Sequence, residues 1–258
     1  MQNPHGSFVW YELMTGDLDA AMTYYRAVVG WDMQDAGNPD MRYVILSVSG
    51  KGIGGMMKTP PMAAAAGAPP GWLGYVGVDD VDAAAKALAS AGGTVHHGPA
   101  DIPEVGRFAS VTDPQGAAFV IFKGNIDQPS EAYSMGAPGH VGWNELHTSD
   151  WEAALSFYGT QFGWRKAEAL DMGGMGTYLL FAPSDGNAVG GMMKSPNFPR
   201  PMWLYYFNVS DIDAAKGRVT DNGGEVLFGP SEVPGGAWIV QAKDPQGVMF
   251  ALVGQRLN

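Results

Sequence analysis

Two glutamates stand out in this 258-residue sequence because of what surrounds them. Glu12 lies inside the apolar run Phe8 to Thr15 (FVWYELMT), and Glu145 inside a matching run around Trp143 to Thr148 (WNELHT). A carboxylate in such a strand is costly unless it is paired or hydrogen-bonded, so each is expected to have a structural or a ligand-contacting role. Residues two apart on a strand share a face. That rule groups Trp10, Glu12 and Met14, and it groups Trp143, Glu145 and His147. It also sets Tyr75 beside Leu73, and Tyr206 and Asn208 beside Leu204. Glu12, Glu145 and His147 are therefore the candidate catalytic residues, since an imidazole near a carboxylate can move protons at neutral pH. The plainer alternative is an ordinary hydrogen-bonded histidine, because no third partner is evident and the counterpart of His147 is Met14. Trp10, Glu12, Tyr75, Trp143, Glu145, His147, Tyr206 and Asn208 are the candidate ligand-binding set. In that reading the tryptophans form aromatic walls and the methionines Met56, Met57, Met192 and Met193 an adaptable lining. Packing of the sheet against helices is the competing reading for at least one pair among Trp10/Trp143 and Trp72/Trp203.

Composition removes whole classes of chemistry. There is no cysteine, which excludes disulfides, thiolate nucleophiles and cysteine-ligated metal centres. A net charge of −11 disfavours nucleic acid and anionic membrane surfaces. With 46% hydrophobic and 16% charged residues the chain suits a globular core. The N-terminus has no basic segment followed by an apolar run, and no stretch reaches the roughly 18 apolar residues of a membrane span. A cytoplasmic protein is the expectation. The glycines at Ile53-Gly54-Gly55 and Gly173–Gly176 have no following helix, so they are not phosphate loops. His96 and His97 precede a Gly-Pro loop where the matching residues are Leu227 and Phe228, and they are read as incidental.

The elements that must position these residues occur more than once. Asp17 to Trp31 (DLDAAMTYYRAVVGW) returns 133 residues later as Asp150 to Trp164 (DWEAALSFYGTQFGW). IGGMMK at Ile53 returns as VGGMMK at Val189, DVDAA at Asp80 as DIDAA at Asp211, and DPQG at Asp113 as DPQG at Asp244. Each half divides again, giving the order strand, helix, three strands four times. Asp17 and Asp80 are suited to cap helices, and Gly92-Gly93 and Gly223-Gly224 to close them. Leu18, Ala21, Met22, Tyr25 and Val28 fall on one helical face. Residues 1–128 are expected to form a first domain with modules at about 7–59 and 70–124. A linker over 129–138 then leads to a second domain, 139–258, with modules at about 139–195 and 201–254.

The pattern W-x-E-L-x-T-x-D, then A-A…Y and G-W, resembles the opening of a vicinal oxygen chelate module. The strand, the D-x-D-A-A helix ending in Gly-Gly and the DPQG turn before an apolar strand resemble its second module. This is the superfamily of glyoxalases, bleomycin-resistance proteins and extradiol dioxygenases, and the resemblance runs from about Ser7 to Gly254. It implies an α+β fold of four βαβββ modules. These would form two half-open, mostly antiparallel, barrel-like sheets with helices outside and a cavity in each. Whether module one pairs with module two or with module four is left open.

In metal-dependent relatives, ligands lie seven residues before the capping Asp and seven after the Asp of the DPxG turn. Projected here, those positions are Trp10, Trp143, Leu73, Leu204, Val120 and Ala251, none of which can ligate a metal. The resemblance and this departure together favour a metal-independent binder of a small aromatic or amphipathic molecule in the sheet cavity, with no cofactor. The alternative is an enzyme, either a glyoxalase-type lyase or isomerase or a metal-free acid–base catalyst, using a displaced site. A third possibility is a chain whose cavities have collapsed. Because the duplication supplies pairing within one chain, a monomer or a homodimer is expected.

Overall fold

The computed structural model describes residues 3–37, 41–126, 128–184, 186–195, 198 and 200–257. The first module runs β1 (Phe8–Thr15), α1 (Leu18–Val28), β2 (Asp32–Asp35), β3 (Tyr43–Val48) and β4 (Lys51–Lys58). After a short α2 (Pro61–Ala65), the second runs β5 (Gly71–Gly77), α3 (Val81–Ser90), β6 (Thr94–Ile102), β7 (Gly106–Thr112) and β8 (Ala118–Gly124). The third is β9 (Val141–Thr148), α4 (Trp151–Phe162), β10 (Arg165–Asp171), β11 (Thr177–Ala182) and β12 (Gly190–Lys194). The fourth is β13 (Met202–Asp211), α5 (Ile212–Asp221), β14 (Glu225–Glu232), β15 (Trp238–Lys243) and β16 (Met249–Gln255).

The strands make two eight-stranded sheets, ordered β2-β3-β4-β1-β5-β8-β7-β6 and β10-β11-β12-β9-β13-β16-β15-β14. Both are mixed. The first strand of each module runs parallel to its last, as in β1 with β4 and β13 with β16, while the hairpins between are antiparallel. Neither sheet closes into a barrel, and the α+β class is as the sequence implies.

The chain packs into two compact units, and neither is a contiguous half. One comprises residues 1–9, 74–130 and 143–204, and the other 10–73, 131–142 and 205–258. Module two thus shares a unit with module three, and module one with module four. Each unit has its own aromatic core. In one, Tyr158, Phe162, Trp164, Phe181 and Trp203 pack ring against ring with Phe8 and Phe119. In the other, Tyr25, Trp31, Trp72, Phe207 and Phe250 do the same. Trp72 and Trp203 are therefore core residues.

The motifs explain how each unit is tied. The helix-capping aspartates accept from the first turn, Asp17 from the Ala20 amide and Asp150 from the Ala153 amide, each at 3.0 Å. The DPQG turns do two things. Oδ1 of Asp113 accepts from the amides of Gln115 and Ala117, and Oδ1 of Asp244 from those of Gln246 and Val248. Their second oxygens accept from the buried phenols Tyr158 and Tyr25, at 3.0 and 3.2 Å. The glutamine that follows reaches the other module. Gln115 clasps the backbone N–H and C=O of Asp150, and Gln246 clasps those of Asp17. The motif is a clamp that fixes where one module's helix begins against the other module's last hairpin.

Two details differ from the sequence reading. The buried face of α1 uses Tyr24 where Met22 was expected, and Met22 is only half-buried. The strand after α1 is Asp32–Asp35, three polar residues and Met33, mostly exposed at a sheet edge, so no apolar alternation marks it. Gly92 and Gly223, at φ +92° and +83°, follow α3 and α5 as the Gly-Gly pairs require.

Candidate functional site

The strand carrying Glu145 is central in its half-sheet, with β12 on one side and β11 beyond it. The register puts Gly191 opposite Glu145 and Met193 opposite His147, and sets Tyr178 of β11 opposite Met193. Alternation then places Trp143, Glu145, His147, Gly191, Met193 and Tyr178 on one face. Because Gly191 has no side chain, the Tyr178 phenol lies across β12 and reaches β9. A Cβ on Gly191 would overlap that ring. Trp143 Nε1 donates to Tyr178 Oη at 2.7 Å, and Tyr178 Oη donates to Glu145 Oε2 at 2.7 Å. The other carboxylate oxygen, Oε1, is 2.8 Å from His147 Nε2. Glu145 and His147 are 6% and 2% exposed, whereas Trp143 and Tyr178 are half-buried. The His147 ring lies 4.0 Å from that of Phe198, tilted by 32°.

The 2.8 Å contact lacks the alignment of a hydrogen bond. Neither His147 nitrogen has an aligned hydrogen-bond partner among the described residues. A buried, unsatisfied imidazole costs about 1–3 kcal/mol, so it calls for an explanation.

The first module repeats the arrangement without the histidine. Glu12 stands opposite Gly55 and Met14 opposite Met57, with Tyr43 of β3 opposite Met57. Trp10 Nε1 donates to Tyr43 Oη at 2.9 Å, the Tyr43 phenol is hydrogen-bonded to Glu12, and a Cβ on Gly55 would overlap Tyr43. Burial and the Glu12 carboxylate hold the Tyr43 phenol well above the ordinary tyrosine range. Where His147 stands in the third module, this one has half-buried Met14.

The remaining candidates have other surroundings. Tyr75 packs against Phe122 and pairs with Val120 across β5 and β8. Tyr206 accepts from Gln241 Nε2 at 2.8 Å and pairs with Ala251. Asn208 holds the linker: its Nδ2 donates to the carbonyls of Ser134 and His140, at 2.9 and 3.0 Å, and its Oδ1 accepts from the Gly136 amide. Trp10, Glu12 and Tyr43 therefore form one cluster, and Trp143, Glu145, His147 and Tyr178 another. The sequence reading missed both tyrosines. The signal was present in the Gly-Gly pairs of IGGMMK and VGGMMK, which make room for a ring from the neighbouring strand.

The family's metal does not fit these residues. The six projected ligand positions carry indole or aliphatic groups, and no three of His, Asp and Glu come together among the described residues.

Family models match residues 7–121 and 138–252 as the Glyoxalase/Bleomycin resistance protein/Dioxygenase superfamily. The chain belongs to this superfamily. A Mycobacterium tuberculosis protein, CFP32, named provisionally as a glyoxylase, is 32% identical over 95% of this chain and 93% of its own. The anthracycline biosynthesis protein DnrV of Streptomyces peucetius is 31% identical over 97% of this chain and 94% of its own. Among solved structures, the Mn(II)-bound glyoxalase from Novosphingobium aromaticivorans superimposes with a TM-score of 0.64 at 16% identity, over 99% of this chain and 83% of that one. Homoprotocatechuate 2,3-dioxygenase from Arthrobacter globiformis gives 0.67 at 16% identity, over 98% and 81%. At that identity the superfamily's fold is shared, and the site must be read from its own residues.

Proposed function

We propose that this superfamily member binds a planar aromatic small molecule at its Trp–Tyr–Glu clusters, without a metal. The observation that carries the reading is the repeated cluster itself. In each half a partly exposed indole and phenol flank a carboxylate held in a fixed orientation. Aromatic edges supply contact area at low entropic cost, and a preorganised carboxylate accepts from a ligand hydroxyl. The relatives named for anthracycline biosynthesis support an aromatic ligand, since anthracyclines are built on hydroxylated fused rings. The absence of donor side chains at the six projected positions supports a metal-free site.

The test is titration of the purified protein with anthraquinone and 2-hydroxyanthraquinone, read by quenching of tryptophan fluorescence and by equilibrium dialysis. Saturable binding that Trp10→Ala and Trp143→Ala together weaken at least tenfold, unchanged by chelator, is expected. Absence of saturable binding by either compound would sink the proposal. A second reading, acid–base catalysis, is favoured by one feature only, the 2.8 Å approach of His147 to Glu145.

A further inference from the structure

The two clusters share a plan and differ in one chemically active group. Strand β1 presents Trp10, Glu12 and Met14, and β9 presents Trp143, Glu145 and His147. The tyrosine, the glycine beneath it and the methionine on the parallel strand are the same in both. Of the two clusters only that of the third module has an imidazole, His147, and it is buried with neither nitrogen in an aligned hydrogen bond among the described residues. The titratable groups that the structure places around it are Glu145 on its own strand and Tyr178 on β11. On β12 it faces Met193, and the Phe198 ring packs against it, tilted. Among the described residues this ring's hydrogen-bonding capacity is thus unused, and a ligand with a polar hydrogen would use it.

Resting on the reading above, we propose that the halves divide labour: the His147 cluster takes an acidic hydroxyaromatic ligand as its phenolate, and the Met14 cluster takes only neutral aromatics. The ligand O–H bond breaks, and its proton forms an N–H bond on His147. The electron pair stays on the ligand oxygen. Net charge in the site is unchanged, because a neutral imidazole and a neutral phenol become an imidazolium and a phenolate. Glu145, 2.8 Å from His147 Nε2, offsets the imidazolium in a site screened from water. Tyr178 acts as a positioning residue, holding Glu145 so that Oε1 faces the ring. Met14 has no basic lone pair to offer, so Glu12 in the first module would face a bound phenolate with no compensating cation.

The experiment uses the full chain with 2-hydroxyanthraquinone, at a pH one unit below that compound's free pKa, and anthraquinone as the hydroxyl-free control. The phenolate absorption band is expected to appear on binding and to saturate at one equivalent per chain. His147→Met should abolish the band and weaken binding of the hydroxy compound about tenfold more than that of anthraquinone. Met14→His should add a second equivalent of bound phenolate, which keeps the proposal testable should His147→Met fold poorly. A bound hydroxy compound that stays neutral in the parent protein, or a phenolate band that survives His147→Met, overturns the division of labour while leaving aromatic binding standing. If neither compound binds, the aromatic-binding reading fails, and this inference fails with it.

Discussion

Gly191 stands opposite Glu145 in the β12–β9 ladder, and the Tyr178 phenol crosses above it to hydrogen-bond that glutamate. The neighbouring glycine, Gly190, is tight for another reason, since a Cβ there would strike the backbone carbonyl of Asn144. These two glycines make different demands and should respond differently to substitution. Gly191→Ala displaces a side chain, costing about 1–3 kcal/mol as overpacking does, and abolishes ligand binding at Glu145. Gly190→Ala must separate two strands and should destabilise more. Urea denaturation of the two variants checks the order, and equal losses would contradict the assigned contacts.

Asp113 and Asp244 are held above the usual carboxylate range, chiefly by burial, although amide and phenol donors pull the other way. The direction fixes the sign. A carboxyl whose folded pKa is raised contributes most when protonated. Its contribution falls as pH rises from the unfolded value, about 3.9, through the folded one. The stability of Asp113→Asn or Asp244→Asn relative to the parent protein should therefore improve as pH rises through that window. Denaturation midpoints of parent and variant, compared from pH 3.5 to 6.5, test this; a relative stability that falls with pH would refute it.

Gln115 and Gln246 each bind both backbone groups of a helix-capping aspartate across modules. Gln115→Ala or Gln246→Ala should cost about 1 kcal/mol per variant, the net worth of partly exposed hydrogen bonds. Gln→Glu should cost more, because it replaces the donor to the carbonyl with a negative charge. Thermal denaturation of the four variants distinguishes these, and indifference to both substitutions would show that the clasp contributes nothing.

Asn208 is buried and supplies three hydrogen bonds to residues 134–140, and Gly142 lies too close to it for any side chain. Asn208→Ala leaves carbonyls of Ser134 and His140 without this donor, a loss of about 2–3 kcal/mol. Limited proteolysis should then cut near Ser134 to Gly139 well before the parent protein is cut. Cleavage at the same rate in both would show that the linker is held by other means.

The sequence by itself determined the modular plan, because the landmarks that specify it are local. A capping aspartate, a Gly-Gly stop and an alternating strand each act through neighbouring residues. Their ordered repetition leaves one superfamily as the match. Glu12, Glu145 and His147 were also legible, since polar groups at period two in an apolar strand are rare enough to notice. The partners of those residues were not. Tyr43 and Tyr178 come from a strand two places away, and only the β-ladder register brings each phenol over a glycine to its carboxylate. β2 escaped notice because an exposed edge strand needs no apolar pattern. Only the tertiary structure decided that module one shares a unit with module four and module two with module three. That choice depends on which helix start each DPQG glutamine clasps, and all four modules carry similar local signals. Pairing is a contest among near-equivalent surfaces, and three-dimensional fit rather than local propensity settles it.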